Sequence, residues 1–484
     1  MLIPIGRLIT ALNHEFRKLM PRFADAGTDG SAAQAIAHGL HLLQAQQSHG
    51  VAWIEAVLAD YRTLLDQIEA LLGTGLEELR NRLAQGVSGA LPDAWLRLAG
   101  LAEELIVAIN AAPLASAQRA ALCTLVVDWE EKALLAQLET SAEGAPVVDS
   151  EITRARLEAY LRDRFADPAL ALATFQPLAG GFGKETIIFE IAEGAHAGEY
   201  VMRRDLGKGV SLDNDCHVID REYPVIRALR DRGFPAPEAV WLDTEHALLA
   251  GGDFIVMRRS AGTLGGSFFG AQAEIPESLA DALADIAGRL HTLPPLTELG
   301  AASDFIRPEI WQLSRGEAAG RYIRGWYDYL LAEAHSPSPS LAAIYGWLLD
   351  NVPNRPGRAC LVHGDIGFHN FLFDQGALSA VLDWEFAHVG DPAEELGYIR
   401  LTIGDALDWD AFMARYIAAG GEPIDPATLH FFRVWGYARN ASAANIVITR
   451  FMQGVVNDLK LAVLPHYHYA KFIRYAQQLI VAGP

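Results

Sequence analysis

Apolar side chains recur with two different periods along the chain, and the change of period marks its organisation. Up to about residue 140 they fall at helical spacing, as in Trp95, Leu98, Leu101, Leu105 and Ile109, with Gly and Pro gathered between the stripes. This pattern predicts a bundle of helices. The same spacing runs through Ile5, Leu8, Ile9, Leu12, Phe16, Leu19 and Met20, but Asn13, His14, Glu15, Arg17 and Lys18 interrupt it too soon for a secretory signal. The segment from Ser141 to Ser150 then collects small residues, Gly144 and Pro146, and offers Asp149 or Ser150 as the N-cap of a helix bearing Leu157, Tyr160 and Leu161. A domain boundary is expected there.

Beyond the boundary the period shortens. Glu185 to Ala192 and Glu199 to Arg203 are rich in β-branched and aromatic residues and are bounded by Gly194 and Gly198, which predicts strands of an antiparallel sheet. A helix is expected from about Asp220 to Arg232, with Pro224 in its first turn, followed by strands around Ala239 to Leu242 and Asp253 to Met257. From about Ser278 helices dominate again, broken once by a short β-hairpin. The whole reads as an α+β protein with no internal repeat and no low-complexity tract.

Composition narrows the function classes. The 484 residues exceed one ordinary core and include 51% hydrophobic and 20% charged side chains, a globular balance. Lys and Arg number 39 against 60 Asp and Glu, a net charge of −21, so a nucleic-acid partner is not expected. No apolar run approaches the ~20 residues of a membrane span. Three separated cysteines, Cys123, Cys216 and Cys360, fit neither a disulfide framework nor a CxxC metal site and point to a reducing cytoplasm. His38 and His41 share a helix face, yet no third ligand follows at metal-site spacing, so they read as ordinary surface or core histidines.

The chemistry concentrates in Leu361-Val-His363-Gly-Asp365-Ile-Gly-Phe-His369-Asn370-Phe-Leu-Phe373 and in Leu378-Ser-Ala-Val-Leu382-Asp383-Trp384-Glu385, joined by Asp374-Gln375-Gly376. An apolar strand delivers an acid and an amide five residues apart, and a tight hairpin returns a second acid beside them. Phosphoryl transfer needs such a set: a carboxylate to orient or deprotonate a hydroxyl, and hard oxygens to hold Mg²⁺ against phosphates. Each residue alone could be a turn former or strand end. Their joint spacing favours the chemical reading.

His363-Gly-Asp365 followed by Asn370 resembles the HGDxxxxN loop of aminoglycoside phosphotransferases and choline-kinase-like enzymes. Val381-Leu-Asp-Trp-Glu385 through Gly390-Asp391-Pro392 is similar to the (I/V)(I/L)DWExxxxGDP pattern of the same superfamily. The resemblance spans roughly residues 165 to 460. It implies a protein-kinase-like two-lobe fold, with a sheet lobe over 149–258 and a helical lobe over 259–484, preceded by the helical bundle over 1–148. It further implies ATP and Mg²⁺ as cofactors, Asp365 as catalytic base, and Asn370 and Asp383 as metal ligands. His363 reads as a support of the loop, and His369 receives no catalytic role.

Upstream, Gly180, Gly181 and Gly183 resemble the nucleotide-covering loop, although Glu185 after Lys184 and Leu178 at the head exclude a Walker A. Tyr200-Val201-Met202-Arg203 occupies the place of a kinase V-A-I-K strand, with Arg203 where lysine is usual. Arginine binds phosphate through a wider, bidentate fork. Glu222 is its candidate partner; the alternative is an exposed glutamate complementing the helix dipole. Val201 is expected to cover the adenine, and the backbone near Met257 to bond it as a hinge. Arg289 to Pro294 resembles the end of the first large-lobe helix.

These residues imply an ATP-dependent phosphotransferase whose partner is a small-molecule hydroxyl acceptor. Similarity to the kinase domains associated with acyl-CoA dehydrogenases suggests a hydroxyacyl-CoA or related catabolic alcohol. An aminoglycoside or macrolide kinase and a nucleotide-binding pseudokinase scaffold are the alternatives. The helical bundle could mediate homodimers, contact a partner enzyme or cap the substrate cleft.

Overall fold

Side-chain alternation builds the sheet that frames the chemistry. In the computed structural model the described residues are 30–72, 76–84, 91–140, 152–178, 184–205, 218–246, 248–249, 252–266, 275–296, 309–333, 337–452 and 459–484. Strands β1 (Leu172–Leu178), β2 (Lys184–Ile191), β3 (Gly198–Asp205), β4 (Ala239–Asp243) and β5 (Phe254–Arg258) form one antiparallel sheet in the order β1-β2-β3-β5-β4. On one face Ile187, Phe189, Tyr200 and Met202 pack with Leu157 and Leu161 of the helix Arg154–Phe165. Burying each such side chain contributes about 1.5–3 kcal/mol. The register pairs Lys184 with Asp205, Thr186 with Arg203 and Ile188 with Val201, so these six share the opposite face. That face carries the charges.

Several elements depart from expectation for local reasons. Strand β1 has one buried residue, Leu172, and is otherwise largely exposed as an edge, so it shows no alternation. The helix Arg154–Phe165 is capped by Thr153, whose hydroxyl accepts from Arg156 N at 3.3 Å, rather than by Asp149 or Ser150, which lie outside the described residues. The helix Ile219–Asp231 starts early enough to put Pro224 in its second turn. The single expected hairpin is two small sheets. One contains β6 (Thr263–Leu264), β8 (Phe371–Asp374) and β9 (Ala377–Val381); the other pairs β7 (Cys360–Val362) with β10 (His388–Gly390). Both β7 and β10 are three residues long and wholly buried, leaving no period to read.

The chain forms two compact units: 1–148 with 327–351 and 437–484, and 149–326 with 352–436. The segments 327–351 and 437–484 group with 1–148 and not with the rest of the segment 259–484. In the first unit the described helices include Gly30–Leu72, Leu91–Ala111 and Ser116–Thr140. Glu130 there is buried and accepts from Ser338 Oγ at 3.0 Å, Ser340 N at 3.1 Å and Tyr469 OH at 2.6 Å. Burial pushes its carboxyl above the ordinary range despite these donors. One buried acid therefore ties the helices Pro339–Asp350 and Leu459–Ala482 to Ser116–Thr140.

The second unit is a protein-kinase-like α+β fold. Its core runs from Ile226, Leu229 and Ile255 beside the sheet to Leu283, Leu290, Leu361, Phe371, Trp384 and Leu396 among the helices and small sheets. The site is built within this unit. Among the described residues, no helix is long and apolar enough to cross a membrane.

Candidate active site

Strand β7 ends at Val362, and the chain turns at His363, Gly364 and Asp365. Gly364 has φ 81°, and a Cβ there would stand 2.5 Å from the Phe386 carbonyl oxygen, so glycine is required. Glu395 receives the backbone N–H of His363 at 2.6 Å and of Gly364 at 2.9 Å. His363 donates from Nε2 to the Leu382 carbonyl at 2.9 Å and accepts from Asp365 N at 3.2 Å through Nδ1, which joins the loop to the end of β9. Asn370 N–H and side chain close the turn: Nδ2 bonds the Asp365 carbonyl at 2.9 Å and Oδ2 at 3.0 Å. The other carboxylate oxygen accepts from Tyr398 OH at 2.5 Å, and His369 Nε2 lies 3.3 Å from Oδ2. Burial works against a charged His369, but Asp365 and Asp383 outweigh it and hold its pKa above the usual value.

The hairpin that returns the second acid turns at Gln375 and Gly376, both with positive φ, and Leu382 N bonds the Asn370 carbonyl at 2.8 Å. Asp383 itself adopts φ 65°, a left-handed conformation uncommon for a non-glycine residue and frequent at functional turns. Its Oδ1 meets Arg203 Nη2 at 2.6 Å. Arg203 Nη1 meets Glu222 Oε1 at 2.8 Å. Lys184, the first residue of β2, lies 2.7 Å from Glu385 Oε2 and 3.3 Å from Glu222 Oε2. Burial opposes charge on both cations, yet Glu222 and Glu385 at Lys184, and Asp383 and Glu222 at Arg203, overcome it and raise both. The result is a lattice of two cations and three carboxylates, buried at Lys184 and Glu222 and one-third exposed at Asp383.

Of the residues singled out in the sequence, the structure brings together Asp365 with Asn370, and Arg203 with Glu222 and Asp383. Glu222 is fully buried against the cations and is not an exposed helix-start acid. Val201 lies on the same sheet face as Arg203 and packs beside the core that includes Met257. Met257 is paired on both sides, to Val201 on β3 and Ala239 on β4, because β5 is an interior strand. It belongs to the ladder and not to a connecting hinge. Gly180, Gly181 and Gly183 lie outside the described residues, as do the side chains of His38 and His41.

Comparison with known proteins gives the arrangement its family. The family described as phosphotransferase enzyme family (APH) matches residues 174–432, more than half of the chain. The chain belongs to the phosphotransferase enzyme family. It is 30% identical over 257 residues to acyl-CoA dehydrogenase family member 11 of Rattus norvegicus, covering 51% of this chain and 30% of that relative. The chain therefore spans about a third of the length of the relatives it matches in this group. Viomycin phosphotransferase of Streptomyces vinaceus is 35% identical over 77 residues, 15% of this chain and 24% of the relative. Among solved structures, macrolide 2′-phosphotransferase MphH from Brachybacterium faecium aligns with TM-score 0.40 and 18% identity over 64% of this chain and 97% of its own.

Within this phosphotransferase the donor set fits Mg²⁺. Asn370 turns its Nδ2 toward Asp365, which leaves its amide oxygen as the remaining polar atom, and Asp383 supplies a carboxylate whose side chain is one-third exposed. One amide oxygen and one carboxylate are the hard ligands that Mg²⁺ takes beside substrate phosphates. Four residues of the site were not assigned from sequence: Lys184, Glu385, Glu395 and Tyr398. Two signals were available. Lys184 directly follows the glycine segment, and Glu395 and Tyr398 are spaced i, i+3 on the helix that Asp391 caps, placing both on one face toward the loop.

Proposed function

We propose that this phosphotransferase moves the γ-phosphoryl group of ATP to the hydroxyl of a small molecule. The observation that carries the reading is the convergence of Asp365 with Asn370 on one loop and of Asp383 with Arg203 beside it. Asp365 orients the acceptor hydroxyl and receives its proton. Arg203, held by Glu222, provides the cation for the phosphates. Val201 covers the adenine. Bound through Asn370 and Asp383, Mg²⁺ supplies charge neutralisation on the phosphates. Electrostatic positioning is the protein's main task in such a transfer, because little covalent chemistry remains for it.

The acceptor in this reading is a hydroxyacyl-CoA or related catabolic alcohol. The likeness to the acyl-CoA dehydrogenase family member extends over 257 residues, against 77 for viomycin phosphotransferase, and on that ground an acceptor from acyl-CoA metabolism is put ahead of a cationic antibiotic. The test is ADP release across hydroxyacyl-CoAs, amino alcohols, aminoglycosides and macrolides. Preferred turnover of a hydroxyacyl-CoA is the expected result. Turnover confined to the antibiotics would replace the acceptor, and no ADP release with any alcohol would remove the phosphotransferase reading in favour of a scaffold.

A further inference from the structure

Three carboxylates compete for Arg203. Its guanidinium lies 2.8 Å from Glu222, 2.6 Å from Asp383 and 3.9 Å from Glu385. Were it the sole cation among them, attraction in a poorly hydrated site would hold it against the acids and away from an incoming phosphate. Lys184 changes that balance. It hydrogen-bonds Glu385 at 2.7 Å, closer than Arg203 does, and lies within ion-pair distance of the second oxygen of Glu222, 3.3 Å away, without hydrogen-bonding it. A compact ammonium can balance two carboxylates at once, one by hydrogen bond and one by charge, whereas the arginine fork bridges outward.

Exposure orders the two cations. The Lys184 side chain is 3% accessible, Arg203 13% and Asp383 33%, so Lys184 stands behind Arg203 and Arg203 behind the metal carboxylate. Of the two cations, Arg203 is the more exposed and so the one an incoming phosphate can reach. We propose that Lys184 is a positioning residue for Arg203: by balancing the charge of Glu385 and part of that of Glu222, it keeps the guanidinium bridged between one Glu222 oxygen and the metal carboxylate Asp383, at the phosphate side, instead of drawn inward to Glu385. This rests on the phosphotransferase reading above.

Calorimetric titration of the full chain with AMP-PNP and Mg²⁺ tests it, alongside melting curves for every variant. K184M leaves buried acids without their counter-charge and is expected to weaken AMP-PNP binding at least about tenfold. K184R, which keeps the charge, should stay within about threefold of wild type. The decisive variant is the double change K184M/E385Q, which removes cation and competing acid together and should regain most of the lost affinity. Recovery of affinity with the melting temperature of K184M and of the double variant unchanged is a readout that a merely structural lysine would not give. If K184M has no cooperative melt, the comparison passes to K184R and to E385Q alone: AMP-PNP binding by K184R within about threefold of wild type and by E385Q no weaker than wild type supports the inference, and a folded K184R that loses binding at least about tenfold overturns it. Binding by K184M equal to wild type overturns it, as does a double variant no tighter than K184M, which would make Lys184 a direct phosphate ligand. A wild-type chain that binds no AMP-PNP overturns the phosphotransferase reading and this inference with it, whereas a binding wild type with an unaffected K184M overturns the inference only.

Discussion

Tyr398 OH donates to Asp365 Oδ1 at 2.5 Å, from a helix that begins seven residues earlier at the Asp391-Pro392 cap. The ring is nearly inaccessible, at 2%, so packing fixes the hydroxyl before any substrate arrives. Asp365 is thereby held on both oxygens, with Asn370 on the other, and its approach to an acceptor hydroxyl is set by neighbours rather than by solvent. Tyr398→Phe keeps the ring and removes one bond. We expect kcat to fall about tenfold, the scale of one oriented hydrogen bond of about 1–1.5 kcal/mol, with AMP-PNP affinity unchanged. Steady-state rates and calorimetry check this; equal losses in both would make Tyr398 a structural residue only.

Glu395 has the opposite signature, a stability effect with a defined pH dependence. Burial penalises its charge, but His291 at 3.8 Å, His363 and the two loop N–H groups lower its pKa below the ordinary carboxylate value. A depressed carboxylate contributes stability that is present above its unfolded pKa, near 4.3, and is lost as pH falls through its folded value. Glu395→Gln is therefore expected to cost about 2–4 kcal/mol at pH 7 and progressively less in acid. Urea unfolding at pH 7 and at pH 4 measures the difference, and a pH-independent loss would contradict the charge argument.

How much of this was legible beforehand follows from where the signals reside. The loop from His363 to Asn370 and the hairpin to Asp383 are local, so spacing along the chain exposed Asp365, Asn370 and Asp383 together. The strands around Arg203 showed because β-branched and aromatic residues mark a half-buried surface. Lys184 stood beside the glycine segment, but its partners, Glu222 and Glu385, are distant in sequence, so nothing local tied it to the acids it meets. Residues 327–351 and 437–484 could not be assigned to the first unit from pattern alone. Their helices look like any others, and it is the burial of Glu130 against Ser338 and Tyr469 that decides where they pack.

Asp205 gives a prediction of opposite sign to Glu395. It ends β3, is 5% exposed and accepts from Ile219 N at 3.1 Å, while among the described residues its Oδ1 has no hydrogen-bond partner. Burial raises its pKa to about 6, with Lys184 pulling the other way. A raised carboxyl favours the folded state below its unfolded pKa, near 3.9, and that contribution is lost as pH rises through about 6. Asp205→Asn retains an oxygen for Ile219 and removes the penalised charge. Its stability should exceed wild type by about 1–3 kcal/mol at pH 7.5 and match it near pH 4. Thermal melts across that range would refute the argument if the gain were absent at pH 7.5.

The assignment of Asp365 as base rests on separating its role from that of its metal-binding neighbours. Asp365→Ala should lower kcat at least ~10²-fold, the usual scale for a positioned general base, while AMP-PNP affinity with Mg²⁺ stays nearly unchanged. The structure shows why the two readouts can part. Asn370 Nδ2 bonds the Asp365 main-chain carbonyl at 2.9 Å as well as the carboxylate, and the carbonyl survives in the alanine variant. Glu395 still holds His363 and Gly364, and Leu382 N still holds the Asn370 carbonyl, so the loop and the end of β9 keep their places. What disappears is the group that orients and deprotonates the acceptor. Asn at position 365 is a weaker test, because its amide could still hold a hydroxyl by hydrogen bonding. Parallel loss of nucleotide binding and turnover in the alanine variant would make Asp365 a structural or metal residue, and full turnover would place the chemistry elsewhere.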